Sequence, residues 1–225
     1  MHRVLELVRK VRAQFLDDRF FFEFESSCHE NRLKREFYLS YEKVFGCLDE
    51  ESWEALKLKA LLHFMDHRPG QWKAGFFNQL NEAFAYRYLV SIGCTNVVFL
   101  PEKKKSKQPD LGFSRMGAPG LCEVKSISIS DDEIQRRNSH EYIDGSVYAT
   151  LSPGFMNKLK ATIGSAETQI SALPESSIIY VVIEFDDFMQ DYQAEYRSQL
   201  QAFLSKCQSN NLILQVGRFG YTINA

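Results

Sequence analysis

Residues 109–125, PDLGFSRMGAPGLCEVK, decide how the rest of the chain is read. Leu111-Gly112-Phe113-Ser114 forms one short extended run, and Leu121-Cys122-Glu123-Val124-Lys125-Ser126-Ile127 forms a second. Between them Gly117-Ala118-Pro119-Gly120 supplies the residue types of a turn, so the stretch predicts a β-hairpin. Side chains alternate along a strand, which sets Glu123 and Lys125 on one face. Pairing of the two runs brings Asp110 beside them. Two carboxylates and an ammonium then converge on one spot.

The flanking chain predicts an α/β protein in two parts, with a helical region over residues 1–69 and a core over 70–225. Val4, Val8, Val11 and Phe15 recur at helical spacing, and Leu5, Leu7 and Leu16 widen that stripe. Phe20-Phe21-Phe22-Glu23-Phe24 reads as a packing block. A second helix is expected from Asn31 to Phe45, and a third opens on the acids Asp49, Glu50 and Glu51. His63 and His67 then share a helix face, but Phe64 stands where a metalloprotease motif needs glutamate, so they read as surface or packing residues.

A helix over 71–92 ends at Gly93 and projects two apolar stripes, Phe77-Leu80-Phe84-Tyr88 and Ala83-Tyr86-Leu89-Val90. Glu82 falls in the second stripe, where a carboxylate must be paired or bind a cation. Thr95–Leu100 predicts a strand, and 101–107, with Lys103, Lys104 and Lys105, an exposed loop that either meets phosphates or is simply solvated. The polar segment 130–146 is long enough to cover a substrate, and its His140 reads either as a solvated side chain or as a group near a leaving oxygen. Ser152-Pro153 starts a helix that ends before Pro174, Ser177–Phe185 suits a strand covered on both faces, and a helix over 192–207 precedes a last strand, Leu212–Phe219.

Pro109-Asp110, twelve intervening residues and Glu123-Val124-Lys125 resemble the signature of the PD-(D/E)XK nuclease superfamily. The resemblance implies a restriction-endonuclease-like fold, a mixed central sheet flanked by helices, with the order αβββαβ and here one added αβ unit. It also implies magnesium, replaceable by manganese, held by Asp110 and Glu123 with help from the Val124 carbonyl, and Lys125 assisting the attacking water. Glu82 matches the acid that many such nucleases carry on the helix before the first core strand. Lys158 and Gln169, on the polar stripe of the helix after the EXK strand, match by position the groups that helix offers to the site. DNA is expected ahead of RNA because of what the family mostly does.

Composition sets the limits of this reading. The chain has 225 residues, 44% hydrophobic and 25% charged, with a formal net charge of −2, so nucleic-acid binding needs local basic patches. Five scattered cysteines without CxxC spacing predict a reducing compartment, and Met1-His2-Arg3-Val4 lacks the apolar stretch of a secretory signal, which together predict the cytoplasm. No membrane role is expected, and the helical region is open as a surface for a protein partner or a homodimer. Two other classes stay open: a module on the same fold that binds nucleic acid or protein without cutting, and a hydrolase of small phosphate esters. Asp110 also reads as a turn start, and Glu123 with Lys125 as a same-face ion pair on an exposed strand.

Overall fold

The structure is a computed structural model that describes residues 1–67, 72–102, 108–127, 149–170, 176–185, 192–207, 211–217 and 220–225. Among these, seven helices and six strands form an α/β fold in two compact units, Met1–Tyr88 and Leu89–Ala225. The division falls near the end of a helix that the sequence boundary at 69/70 assigns to the second part.

The first unit holds α1 (His2–Gln14), α2 (Phe24–Glu30), α3 (Arg32–Phe45), α4 (Glu50–Leu62) and most of α5 (Ala74–Ser91). α1 buries Val4, Leu7, Val8 and Val11, as its spacing predicts, but it stops at Gln14 and leaves Leu16 exposed. Short polar side chains set the helix starts: Asn31 accepts the Lys34 N–H at 2.9 Å, and Asp49 accepts the Ser52 N–H at 2.7 Å. Aromatic rings fill the core. Phe21 and Phe24 are buried, Phe24 meets Tyr38 edge-on at 4.7 Å, and Phe45 packs on Trp53 at 4.9 Å, so the phenylalanine run packs in part, with Phe22 left 70% exposed.

Four carboxylates of this unit are held below their ordinary pKa. Burial works against ionised Glu6 and Asp18, but hydrogen bonds from Lys57 and Trp53 to Glu6, and from Lys73 and the Phe20 N–H to Asp18, outweigh it. Glu25 is held down first by the Arg12 guanidinium, and Asp49 first by the Ser52 N–H. Lowered folded-state values mean stability that is complete above the unfolded range, about 4, and drains away as pH falls through the folded values. The urea midpoint should therefore drop between pH 6 and pH 3. Both tryptophans, Trp53 and Trp72, lie in this unit, so fluorescence reads it alone. A flat midpoint across that range would contradict the ion pairs.

The second unit is one six-stranded mixed sheet in the order β1 (Thr95–Phe99), β2 (Leu111–Arg115), β3 (Ala118–Ile127), β4 (Ile178–Ile183), β5 (Leu212–Val216), β6 (Tyr221–Asn224). β1–β3 run antiparallel, β3–β5 parallel, and β6 returns antiparallel on β5. The parallel strands are joined through α6 (Pro153–Ile170) and α7 (Gln193–Leu204). α6 starts as expected, with Ser152 Oγ accepting the Phe155 N–H at 3.1 Å ahead of Pro153.

Right-handed crossovers between successive parallel neighbours place both helices on one sheet face. The core agrees: Phe155, Leu159 and Ile163 of α6 and Tyr196 and Leu200 of α7 cluster with Ile179 and Val181 of β4 and Leu212 and Leu214 of β5. β4 is buried at all six positions.

Two local readings of the chain need correction. The hairpin turn is not Gly117–Gly120 but Met116-Gly117, with φ of 51° and 83°, because Arg115 pairs with Ala118. Positive φ at both central positions is the two-residue turn whose twist matches the strands. Gly120 instead lies inside β3 opposite Phe113, and a Cβ there would fall within the Phe113 ring. The expected last strand, 212–219, ends at Val216, where Gly217 at φ 66° begins the reversal into β6.

Candidate active site on strand β3

β3 carries the site because two side-chain faces of one strand do different work. Ile127 belongs to the apolar cluster under α6 and α7, and alternation puts Glu123 and Lys125 on that same face. The parallel register sets them beside Ile179 and Val181. Glu123 is accordingly 2% exposed, while the Lys125 side chain keeps 27% of its surface.

Lys125 Nζ donates to Glu123 Oε1 at 2.5 Å and to Gln169 Oε1, from the last turn of α6, at 2.8 Å. Asp110 arrives from the other strand. The β2–β3 ladder ends at Leu111↔Cys122, and the next step is made by the side chain: Asp110 Oδ2 accepts the Val124 N–H at 2.8 Å, while its own N–H donates to the Cys122 carbonyl at 3.0 Å. Asp110 is thus tied to the peptide unit between Glu123 and Lys125.

The exposed-strand ion pair expected as the plain alternative is half right. The pair forms, but Glu123 is buried, and a buried ion pair is a weak source of stability because desolvation offsets its attraction. Asp110, Glu123, Val124, Lys125 and Gln169 are all joined by these contacts.

The contacts above do not include the remaining candidates. Glu82 on α5 is 3% exposed and is gripped by Lys59 of α4, whose Nζ lies 2.8 Å from Oε1 and 2.6 Å from Oε2. The sequence reading required a partner for this acid but did not find Lys59, which hides in the charged-apolar alternation Lys57-Leu58-Lys59-Ala60. Lys158 sits eleven positions before Gln169 on α6, about 16 Å along the axis. Lys103, Lys104, Lys105 and His140 lie outside the described residues. His63 and His67 do not share a helix face, because α4 ends at Leu62 and His63 is its cap.

Among the described residues no three His, Cys, Asp or Glu side chains gather as a metal-binding group. Magnesium does not require one: it takes one or two protein carboxylates and completes its shell with water and phosphate oxygens. Asp110 and Glu123 offer that hard-oxygen set, and neither a thiolate nor an imidazole of the zinc type accompanies them in the contacts above. All five cysteines are free thiols, and burial pushes those of Cys28, Cys94 and Cys207 up. No described helix is long and apolar enough to cross a membrane. Comparison of the chain with protein-family models, curated proteins and solved structures finds no match.

Proposed function

We propose that this chain is a magnesium-dependent nuclease of the PD-(D/E)XK type, hydrolysing phosphodiester bonds, with DNA ahead of RNA as substrate. The observation that carries the reading is the contact of Lys125 with both Glu123 and Gln169 while Asp110 holds the Val124 N–H between them. The element order α5-β1-β2-β3-α6-β4, followed by an added α7-β5, supports the restriction-endonuclease-like core.

Asp110 and Glu123 would hold the ion, joined by the Val124 carbonyl, and manganese would fit the same oxygens. Bound there, magnesium would supply a Lewis acid for the phosphate and a more acidic water. Lys125 already donates to Glu123 and Gln169, so its place in the site is that of a donor and not of a base. It orients the attacking oxygen and offsets charge that grows on the phosphate. Gln169 accepts from the ammonium on the helix side.

Cleavage of single-stranded, duplex and branched DNA and of RNA, with magnesium, should be seen for the wild type and lost in Asp110→Ala and Lys125→Ala. Equal activity in all three proteins refutes the site. A second reading, a binding module without chemistry, draws on the direct Glu123–Lys125 contact, in which the ammonium already donates to Glu123 Oε1. Substrate retarded but left whole by the wild type selects it.

A further inference from the structure

The sheet ends at β1 on one side and at β6 on the other, and the two edges differ. β1 breaks register between Thr95 and Val98, where Asn96 takes φ 51°, so a bulge interrupts that edge. β6 keeps an unbroken register with β5 from Ile213↔Asn224 to Val216↔Tyr221, and Tyr221-Thr222-Ile223-Asn224 contains neither a charge nor a proline. Bulges, charges and prolines are what keep sheet edges from pairing with other strands, so β6 is the less guarded edge.

The ladder fixes which groups of β6 face outward. The Ala225 N–H donates to the Leu212 carbonyl at 3.0 Å, and antiparallel pairs alternate, so Tyr221, Ile223 and Ala225 direct their backbone groups at β5. Thr222 and Asn224 direct theirs away from it, and both residues are exposed. Ile223 belongs to the core cluster with Leu200 and Leu204 of α7, and Tyr221 packs against that cluster, so the odd positions face the helix and the even positions the opposite side. Gln201, Leu204 and Ser205 of α7 with Ile223, Asn224 and Ala225 bound an open recess of about 250 Å3 beside the strand.

We propose that β6 pairs antiparallel with β6 of a second copy of this chain about a two-fold axis at Ile223, which joins the two sheets into one. In that register Thr222 exchanges backbone N–H···O=C bonds with the partner's Asn224, and Asn224 with the partner's Thr222, so every outward backbone group of these two residues is used. The strand is complementary to itself there. Ile223 meets the partner's Ile223, Thr222 meets the partner's Asn224 on the polar side, and Tyr221 meets the partner's Ala225, a large side chain against a small one with the recess beside it. A foreign strand would meet the same backbone groups, and this self-matching of side chains is what selects a second copy. The edge has four residues, so the dimer is weak and concentration-dependent. It lies three strands from β3 and does not rest on the nuclease reading.

The test is sedimentation equilibrium of the full chain from micromolar to several hundred micromolar, with urea unfolding of each variant run alongside. The wild type should pass from monomer to dimer. Thr222→Pro and Asn224→Pro each delete an outward N–H and leave the bonds to β5 in place, and each should weaken the dimer at least about tenfold. Thr222→Lys with Asn224→Lys sets like charges opposite each other across the axis and should give a monomer. Thr222→Lys with Asn224→Glu sets opposite charges there and should restore the dimer. Both charged variants change exposed positions only, so they decide the question even where a proline variant unfolds. A wild type that stays monomeric throughout, a dimer untouched by the prolines and by the lysine pair, or equal behaviour of the two charged variants overturns the proposal.

Discussion

Replacing Glu123 by leucine together with Lys125 by methionine should abolish cleavage and leave the sheet as stable as before or more so, by about 1–4 kcal/mol. The expectation follows from burial. Glu123 is almost fully enclosed, and its bond to Lys125 replaces hydration that both groups lost on folding. Removing both removes that desolvation together with the attraction. Lys125→Met alone is different, because it strands a buried carboxylate, and it should cost about 3–5 kcal/mol. If the proposed nuclease chemistry holds, loss of the carboxylate should also lower the rate by about 10²–10³-fold or more. Amide exchange in β3 and β4 reads the stability, and cleavage with magnesium reads the chemistry. A double variant that still cuts would show that the pair is structural.

Lys59→Met should unfold or severely weaken the helical unit, at about 3–5 kcal/mol, since it leaves Glu82 enclosed without its ammonium. That is a large share of the 5–15 kcal/mol that holds a domain together. Glu82→Leu should cost a similar amount, and the double variant should recover most of it. Tryptophan fluorescence in urea follows the unit directly. Stability recovered in the double variant assigns Glu82 to the ion pair with Lys59. Additive costs in the double variant would mean that the two side chains do not act as a pair.

Much of the site was legible because it is built from short-range rules. Glu123 and Lys125 share a face by alternation alone, and the hairpin needs little more than Gly117 and two β-prone runs. Gln169 was placed by helix position, and its contact with Lys125, 44 residues away, agrees. The turn was read too wide because Ala118-Pro119-Gly120 carries turn residues that in fact sit in a strand, where Gly120 makes room for Phe113. β6 was merged with β5 because a reversal at Gly217 leaves little trace between two apolar runs.

By itself the sequence determined the helix starts at Asn31, Asp49 and Ser152, the stop at Gly93, the faces of β3 and the need for a partner at Glu82. Each depends on backbone groups or side chains a few residues apart, whose preferences the chain carries wherever it folds. Only the tertiary structure decided that the partner is Lys59, that Asp110 caps the Val124 N–H, that His63 meets Asp66 beyond the end of α4, and that Glu123 is buried. These depend on which elements pack together and how much water the packing excludes, and burial is what turns an ordinary ion pair into a costly one.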